Sequence, residues 1–223
     1  MKTYIYLLLS IFFFSCGRSP NGEEKNVTNT DSVEVNTDQV PADTNSNTVD
    51  SNPTTVEDIK QRYAVINDKL QHNLLDSTSF KYDCNQERSG TLTYYSDKGK
   101  LAMIKHAYNE YSHFSAVDLY FVSNNSPFFI HLNRVNWSFE SERAVEGATK
   151  DDITEHRLYI AGKKSLLCLE KKYIKRSHSS DNPEPENVAN REVKCKPVET
   201  TLADFTRLMN FKNSANHDCF TSS

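Results

Sequence analysis

Sulfur and imidazole are the side chains through which this sequence could do chemistry. It has five cysteines, Cys16, Cys84, Cys168, Cys195 and Cys219, and seven histidines, His72, His106, His113, His131, His156, His178 and His217. The histidines are scattered without the i,i+4 or short-gap spacing of a zinc site, and no HExxH stretch occurs. His106 and His113 lie across a turn and could meet as cross-strand neighbours, although ordinary half-buried sheet positions explain them without a metal. His217-Asp218-Cys219 gathers the residue types of a cysteine nucleophile, but adjacency along a chain is not the geometry of a thiolate beside an imidazole. Glu140, Glu142 and Glu146 could form an acid and base pair, yet Ser138 to Asp152 reads as a polar, solvated loop. The acidic stretch Asp181 to Glu186 lacks the ligand spacing and turn glycine of an EF-hand. With six glycines in the chain and no GxSxG, neither a phosphate-cradling loop nor a nucleophile elbow is present. The expectation is therefore a protein that is not an enzyme and carries no cofactor or metal.

Cys16 stands apart. Lys2 gives a short positive start, and Tyr4 to Phe14 is an uncharged apolar run. A helix of that length, at ~1.5 Å per residue, covers about half of a ~30 Å hydrocarbon layer, which suits a signal-peptide core and not a permanent span. The run ends in Phe13-Phe14-Ser15-Cys16-Gly17, which resembles the lipobox of bacterial lipoproteins, with an apolar residue, a small residue and then the acylated cysteine. Here Phe occupies both positions where the family usually has Leu and a small residue. The resemblance implies removal of residues 1–15, lipid such as palmitate on Cys16, and residence on the periplasmic or cell-surface side of a membrane. The outer membrane is favoured, because Gly17-Arg18-Ser19-Pro20 lacks the Asp that marks inner-membrane retention. Each buried CH₂ contributes ~0.8 kcal/mol, so several acyl chains on one sulfur would hold durably where one would not.

Residues 16–55 follow as a lipidated cysteine and an acidic linker. Between Gly17 and Thr55 seven acids face two bases, and no aromatic residue occurs between Phe14 and Tyr63. Such a segment cannot repay its ordering entropy and is expected to be disordered, with a reach of roughly 35 Å as a coil. Asp31-Ser32-Val33 resembles the short sites that some bacteria glycosylate. From residue 56 to 223 the 23 acids and 23 bases cancel, so no basic field invites nucleic acid.

Residues 56–223 are expected to form a single globular α+β domain, large enough to bury roughly 70% of its unfolded surface. Thr54 with Glu57 reads as a capping box, and Val56, Ile59, Tyr63, Ile66, Leu70 and Leu74 follow at helical spacing. Beyond the helix the period drops to two. Gly90–Ser96 and Lys100–Tyr108 flank Asp97-Lys98-Gly99, where Gly99 can take a left-handed conformation. His113–Ser123 and Phe128–Trp137 flank Asn124 to Pro127, and His156–Ala161 and Lys164–Tyr173 flank Gly162-Lys163. With a possible return strand over Arg191–Val198, this predicts an antiparallel β-meander of about six to seven strands, packed on an N-terminal amphipathic helix and closed by a short C-terminal helix over Thr200–Phe211.

Four cysteines after Cys16 in an exported chain suggest two disulfides, and spacing alone allows three connectivities. If the return strand folds back on Lys164–Tyr173, Cys195 falls almost opposite Cys168, leaving Cys84 for Cys219. The hairpins also resemble one another: Thr93-Tyr94-Tyr95, Leu119-Tyr120-Phe121 and Leu158-Tyr159-Ile160 each precede a turn and an apolar stretch. This pattern, behind a helix bearing Ile59, Arg62 and Ile66-Asn67, is similar to a group of uncharacterised bacterial lipoproteins. That group implies no activity. The functional expectation is a membrane-anchored, non-enzymatic binding or accessory module for an unknown protein or small ligand. A carrier of apolar envelope components, using aromatics on a concave sheet, and an enzyme of unrecognised type are the alternatives.

Overall fold

The structure, a computed structural model, describes residues 51–140 and 145–220. Cys16, the apolar run and most of the acidic linker lie outside the described residues, as does Glu142.

Helix α1 spans Val56–Gln71. Its capping box sits one residue later than the spacing predicts. The Thr55 hydroxyl accepts from the Asp58 amide at 3.1 Å, and the Asp58 carboxylate accepts from the Thr55 amide at 3.1 Å. The Thr54 amide also donates to Asp58, so one carboxylate gathers two orphan donors and Glu57 is left on the exposed face. Arg62 donates to the Ser51 carbonyl at 2.9 Å. Asn73, at φ 55°, turns the chain out of the helix, so Leu74 is 65% exposed and does not extend the apolar stripe.

Eight antiparallel strands follow in chain order within one sheet: β1 (Asp76–Cys84), β2 (Arg88–Asp97), β3 (Lys100–Glu110), β4 (Phe114–Ser123), β5 (Ser126–Phe139), β6 (Thr149–Ala161), β7 (Lys164–Arg176) and β8 (Arg191–Glu192). The α+β mix and the meander agree with the sequence, but the strand number does not. β1 was hidden because Asp76-Ser77-Thr78-Ser79 is polar and exposed, without the alternation that marks a half-buried strand. The polar run read as loop from Ser138 to Asp152 also contributes strand at both ends, since β5 runs to Phe139 and β6 begins at Thr149. Left-handed residues make the tight turns: Asn85 and Gln86, Lys98 and Gly99, and Asn124 and Asn125.

The recurring aromatic pair has a structural meaning. Adjacent strand residues point to opposite faces, so each pair gives one side chain to each face of the sheet. Tyr94 and Tyr120 face one core, while Tyr95, Phe121 and Tyr159 face the other. Each hairpin then breaks register just after the pair, at Tyr95/Ser96, Phe121/Val122 and Tyr159/Ile160. Such bulges sharpen the twist and re-aim the residues that follow.

Each face carries one helix. Helix α2, Val198–Lys212, begins two residues before the predicted start and lays Val198, Phe205, Leu208 and Phe211 on Leu92, Tyr94, Ile104, Tyr120 and Ile130. The Tyr94 hydroxyl ties the two together by donating to the Leu208 carbonyl at 2.6 Å. Met209 is only partly buried against this core. On the opposite face α1 packs Ile59, Tyr63 and Ile66 on Met103, Phe121, Phe129 and Tyr159.

The cysteines pair at disulfide distance as Cys84–Cys219 and Cys168–Cys195, with Cα separations of 4.8 and 5.3 Å. The first ties the end of β1 to the segment after α2, and the second ties β7 to the chain just beyond β8.

Candidate functional site

A helix body is about 10–12 Å across, whereas a strand of 14 residues such as β5 runs to nearly 50 Å. Helix α1 meets residues from strands β2 to β7, all towards one end of the sheet, so it crosses the strands and covers only part of their length. Beyond it the same face lies open over β2 to β5, while on β6 and β7 Ile153, Glu155 and Lys171 are buried and Lys171 donates to the Pro185 carbonyl.

That uncovered half forms a cleft of about 530 Å³, within the range of small-ligand sites. Thr91, Ala107, Val117 and Asn133 form one cross-strand row of its floor and Ser89, Asn109, Ser115 and Val135 the next, with Lys81 at the margin. Small side chains make the depression, and hydroxyl and amide groups make it half polar. The Asn133 Oδ1 atom is buried without a hydrogen-bond partner, so an acceptor remains on the floor.

Asn133 pairs in register with Glu155, and that row continues to Lys171. Glu155 is buried and anchors a network. His131 Nε2 lies 3.2 Å from its carboxylate, the Tyr173 hydroxyl donates at 3.2 Å, Lys171 Nζ lies at 3.5 Å and Arg157 at 3.7 Å. Burial alone would raise the Glu155 pKa, but Lys171, His131 and Tyr173 outweigh it and hold the carboxyl below its ordinary value. Burial likewise pushes His131 down, against the pull of Glu155. Beside this network, under the edge of α1, sits a smaller pocket of about 130 Å³ lined by Lys60, Tyr63, Phe129, His131, Arg157 and Tyr159.

The α2 face holds its polar groups differently. His106 and Asp118 are direct cross-strand partners in β3 and β4, and both are buried. The Tyr82 hydroxyl bonds His106 Nε2 at 2.8 Å, Tyr108 stacks on the imidazole at 4.3 Å, and Arg88 lies over the Tyr108 ring at 4.5 Å. Burial, helped by Arg88, lowers the His106 pKa to about 3, so the ring is neutral. Burial raises Asp118 to about 6, a shift only partly offset by Arg134 at 3.6 Å.

The residues singled out by sequence fare unequally. His106 and His113 do not meet, because His106 pairs across to Asp118 while His113, in the β3–β4 turn, lies tilted against Trp137 at 4.2 Å. Cys219 is bonded to Cys84 and not held as a thiol, and His217 stacks on Phe80 at 4.2 Å. Glu140 accepts from Arg176 at 2.7 Å, and Glu146 is exposed. The acidic stretch forms a short 3-10 turn at Pro185–Asn187, whose Pro185 carbonyl accepts from Lys171 at 2.8 Å. Among the described residues no group of three or more His, Cys, Asp or Glu side chains is arranged to hold a metal ion, and no described helix is long and apolar enough to cross a membrane. The aromatics expected on an open concave surface pack into the two cores instead. No protein-family model, curated protein or solved structure matches the chain.

The groups around both pockets, Asn133, His131, Glu155, Arg157 and Lys171, escaped the sequence reading. They share no motif and are brought together by the β5–β6 and β6–β7 registers.

Proposed function

We propose that the protein is a non-enzymatic binding module, anchored by lipid on Cys16 on the periplasmic or cell-surface side of a membrane, which receives a ligand in the uncovered half of its sheet. The observation that carries this reading is the cleft of about 530 Å³ beside α1, a depression in the part of the sheet that the helix leaves uncovered. Its mixture of hydroxyl, amide and small apolar side chains suits a polar ligand, a peptide or saccharide, better than the apolar cargo of a carrier. A carrier needs a dry apolar cavity, and the apolar surface of this sheet is spent on its own helices.

The test is an array of oligosaccharides and unstructured peptides probed with the full chain and with Ala107→Arg, which places a long cation on the cleft floor. The reading predicts at least one probe retained by the native chain and lost by the variant. Identical profiles, or retention of nothing by either, would overturn it. The anchor is tested separately by metabolic labelling with a clickable palmitate analogue, where Cys16→Ala should abolish incorporation and equal label in both chains would refute lipidation.

A further inference from the structure

We propose that the pocket under α1, formed by Lys60, Tyr63, His131, Arg157 and Tyr159, is a site for a compact oxyanion of phosphate size. The pocket measures about 130 Å³, enough for such a group and little more. Its lining brings two cations, Lys60 and Arg157, and two phenol hydroxyls together, while His131 spends Nε2 on Glu155. Lys60 and Tyr63 stand one turn apart on α1, while Arg157 is the register partner of His131 and Tyr159 that of Phe129. The aromatic rings are fixed by packing, Tyr63 edge-on to Phe129 at 5.1 Å and Phe129 against Tyr159 at 5.0 Å. Among the described residues neither tyrosine hydroxyl has a hydrogen-bond partner.

Charge accounting favours an anion. Glu155 is the acid nearest the lining, and it is already served by buried Lys171, by His131 and by Tyr173. Arg157 touches it only at 3.7 Å and is about one-third exposed, so most of its five N–H donors remain for another acceptor. Lys60 approaches Glu57 at 3.7 Å, with both side chains well exposed, a contact that water largely screens. A planar guanidinium fork beside an ammonium and two phenols matches a tetrahedral oxyanion, and rigid walls reduce the ordering cost of binding it. The inference does not depend on the neighbouring cleft, because it concerns other side chains and is read by a different probe.

The test titrates the full chain with inorganic phosphate and with glycerol 3-phosphate, following the His131 ring Cε1–H resonance by NMR. Saturable shifts are expected, together with an upward displacement of the His131 titration, since a bound anion favours the imidazolium. Arg157→Gln should weaken binding roughly tenfold, the loss of one charge-assisted contact. Lys98→Gln, which removes a cation from a distant turn, should leave it unchanged. If Arg157→Gln does not fold, Tyr63→Phe with Tyr159→Phe keeps every ring and should weaken phosphate severalfold. Tighter binding of glycerol 3-phosphate would identify the oxyanion as an esterified headgroup, and tighter binding of phosphate a free ion. Non-saturable shifts, or equal affinity in native, Lys98→Gln and pocket variants, would overturn the proposal.

Discussion

The two faces of this sheet are built from the same strands and the same alternating aromatics, yet one is sealed and the other is half open. On the α2 face the helix, the C-terminal segment with Phe220 and the Cys84–Cys219 bridge close over a core from Tyr82 to Ile160, and His106 and Asp118 are locked within it. On the α1 face a single helix covers one end of the strands, and past its edge the floor turns to Thr91, Ala107, Ser115 and Val117. Under the helices the strands carry mostly large apolar side chains such as Tyr94, Ile104, Phe121 and Phe129, whereas the cleft floor is small or polar. Stability is thus concentrated on one face, while part of the other stays uncovered.

The largest expected effect comes from the seam that seals the α2 face. Loss of the Cys84–Cys219 bridge, which closes a sequence separation of 135 residues, should cost about 5 kcal/mol, against about 3.5 kcal/mol for Cys168–Cys195 with a separation of 27. Denaturant unfolding of the two paired Cys→Ala variants checks the order. Equal losses would mean that the α2 face is not the more strongly sealed. Next comes Leu208→Ala at the centre of that core, where the side chain is 1% exposed; a loss of about 3 kcal/mol is expected by the same measurement.

The sealed face also makes a prediction about pH. Asp118 binds its proton more tightly folded, at about 6, than an ordinary aspartate near 3.8, so its contribution to stability falls as pH rises between those values. His106 is the reverse. With a folded pKa of about 3 against an ordinary 6.5, it opposes folding at low pH and releases that penalty as pH rises. Between pH 4.5 and 6.5 the two slopes nearly cancel. Relative to the native chain, Asp118→Asn should therefore steepen the rise of stability across that window by about 2 kcal/mol, and His106→Gln should remove a rise of similar size. Thermal or urea unfolding at several pH values would show it, and parallel profiles for all three chains would contradict the arrangement.

Much of this fold is legible in the sequence, and the reason is locality. Turn residues such as Lys98-Gly99 and Asn124-Asn125, and the period-two strands on either side, specify hairpins within about 25 residues, and the return of the chain onto β7 suggests Cys168–Cys195 and leaves Cys84 for Cys219. β1 escapes because its polar, exposed residues carry no burial pattern. The candidate site escapes for a different reason. His131 meets Arg157 across β5 and β6, and the sequence between these strands carries no tight-turn signature to set the register. Each of these residues alone looks like an ordinary surface charge, and only the register makes them neighbours. Which face α1 would cover, and how far, depends on helix width against strand length, which no local pattern records.

The smallest effect is the one that most sharpens the contrast between faces. Val117 is half-buried on the cleft floor, two residues from Leu119, which packs against the α1 core on the same strand face. If the floor is shaped for a ligand and not for packing, Val117→Thr exchanges a methyl for a hydroxyl that water can already reach, and unfolding should change by no more than about 0.5 kcal/mol. The nearly isosteric Val122→Thr, in the sealed core of the same strand, buries an unpaired hydroxyl and should cost about 1–3 kcal/mol. Comparable losses at the two positions would mean that the cleft floor is packed like a core, and the division between a stabilising face and a binding face would have to be given up.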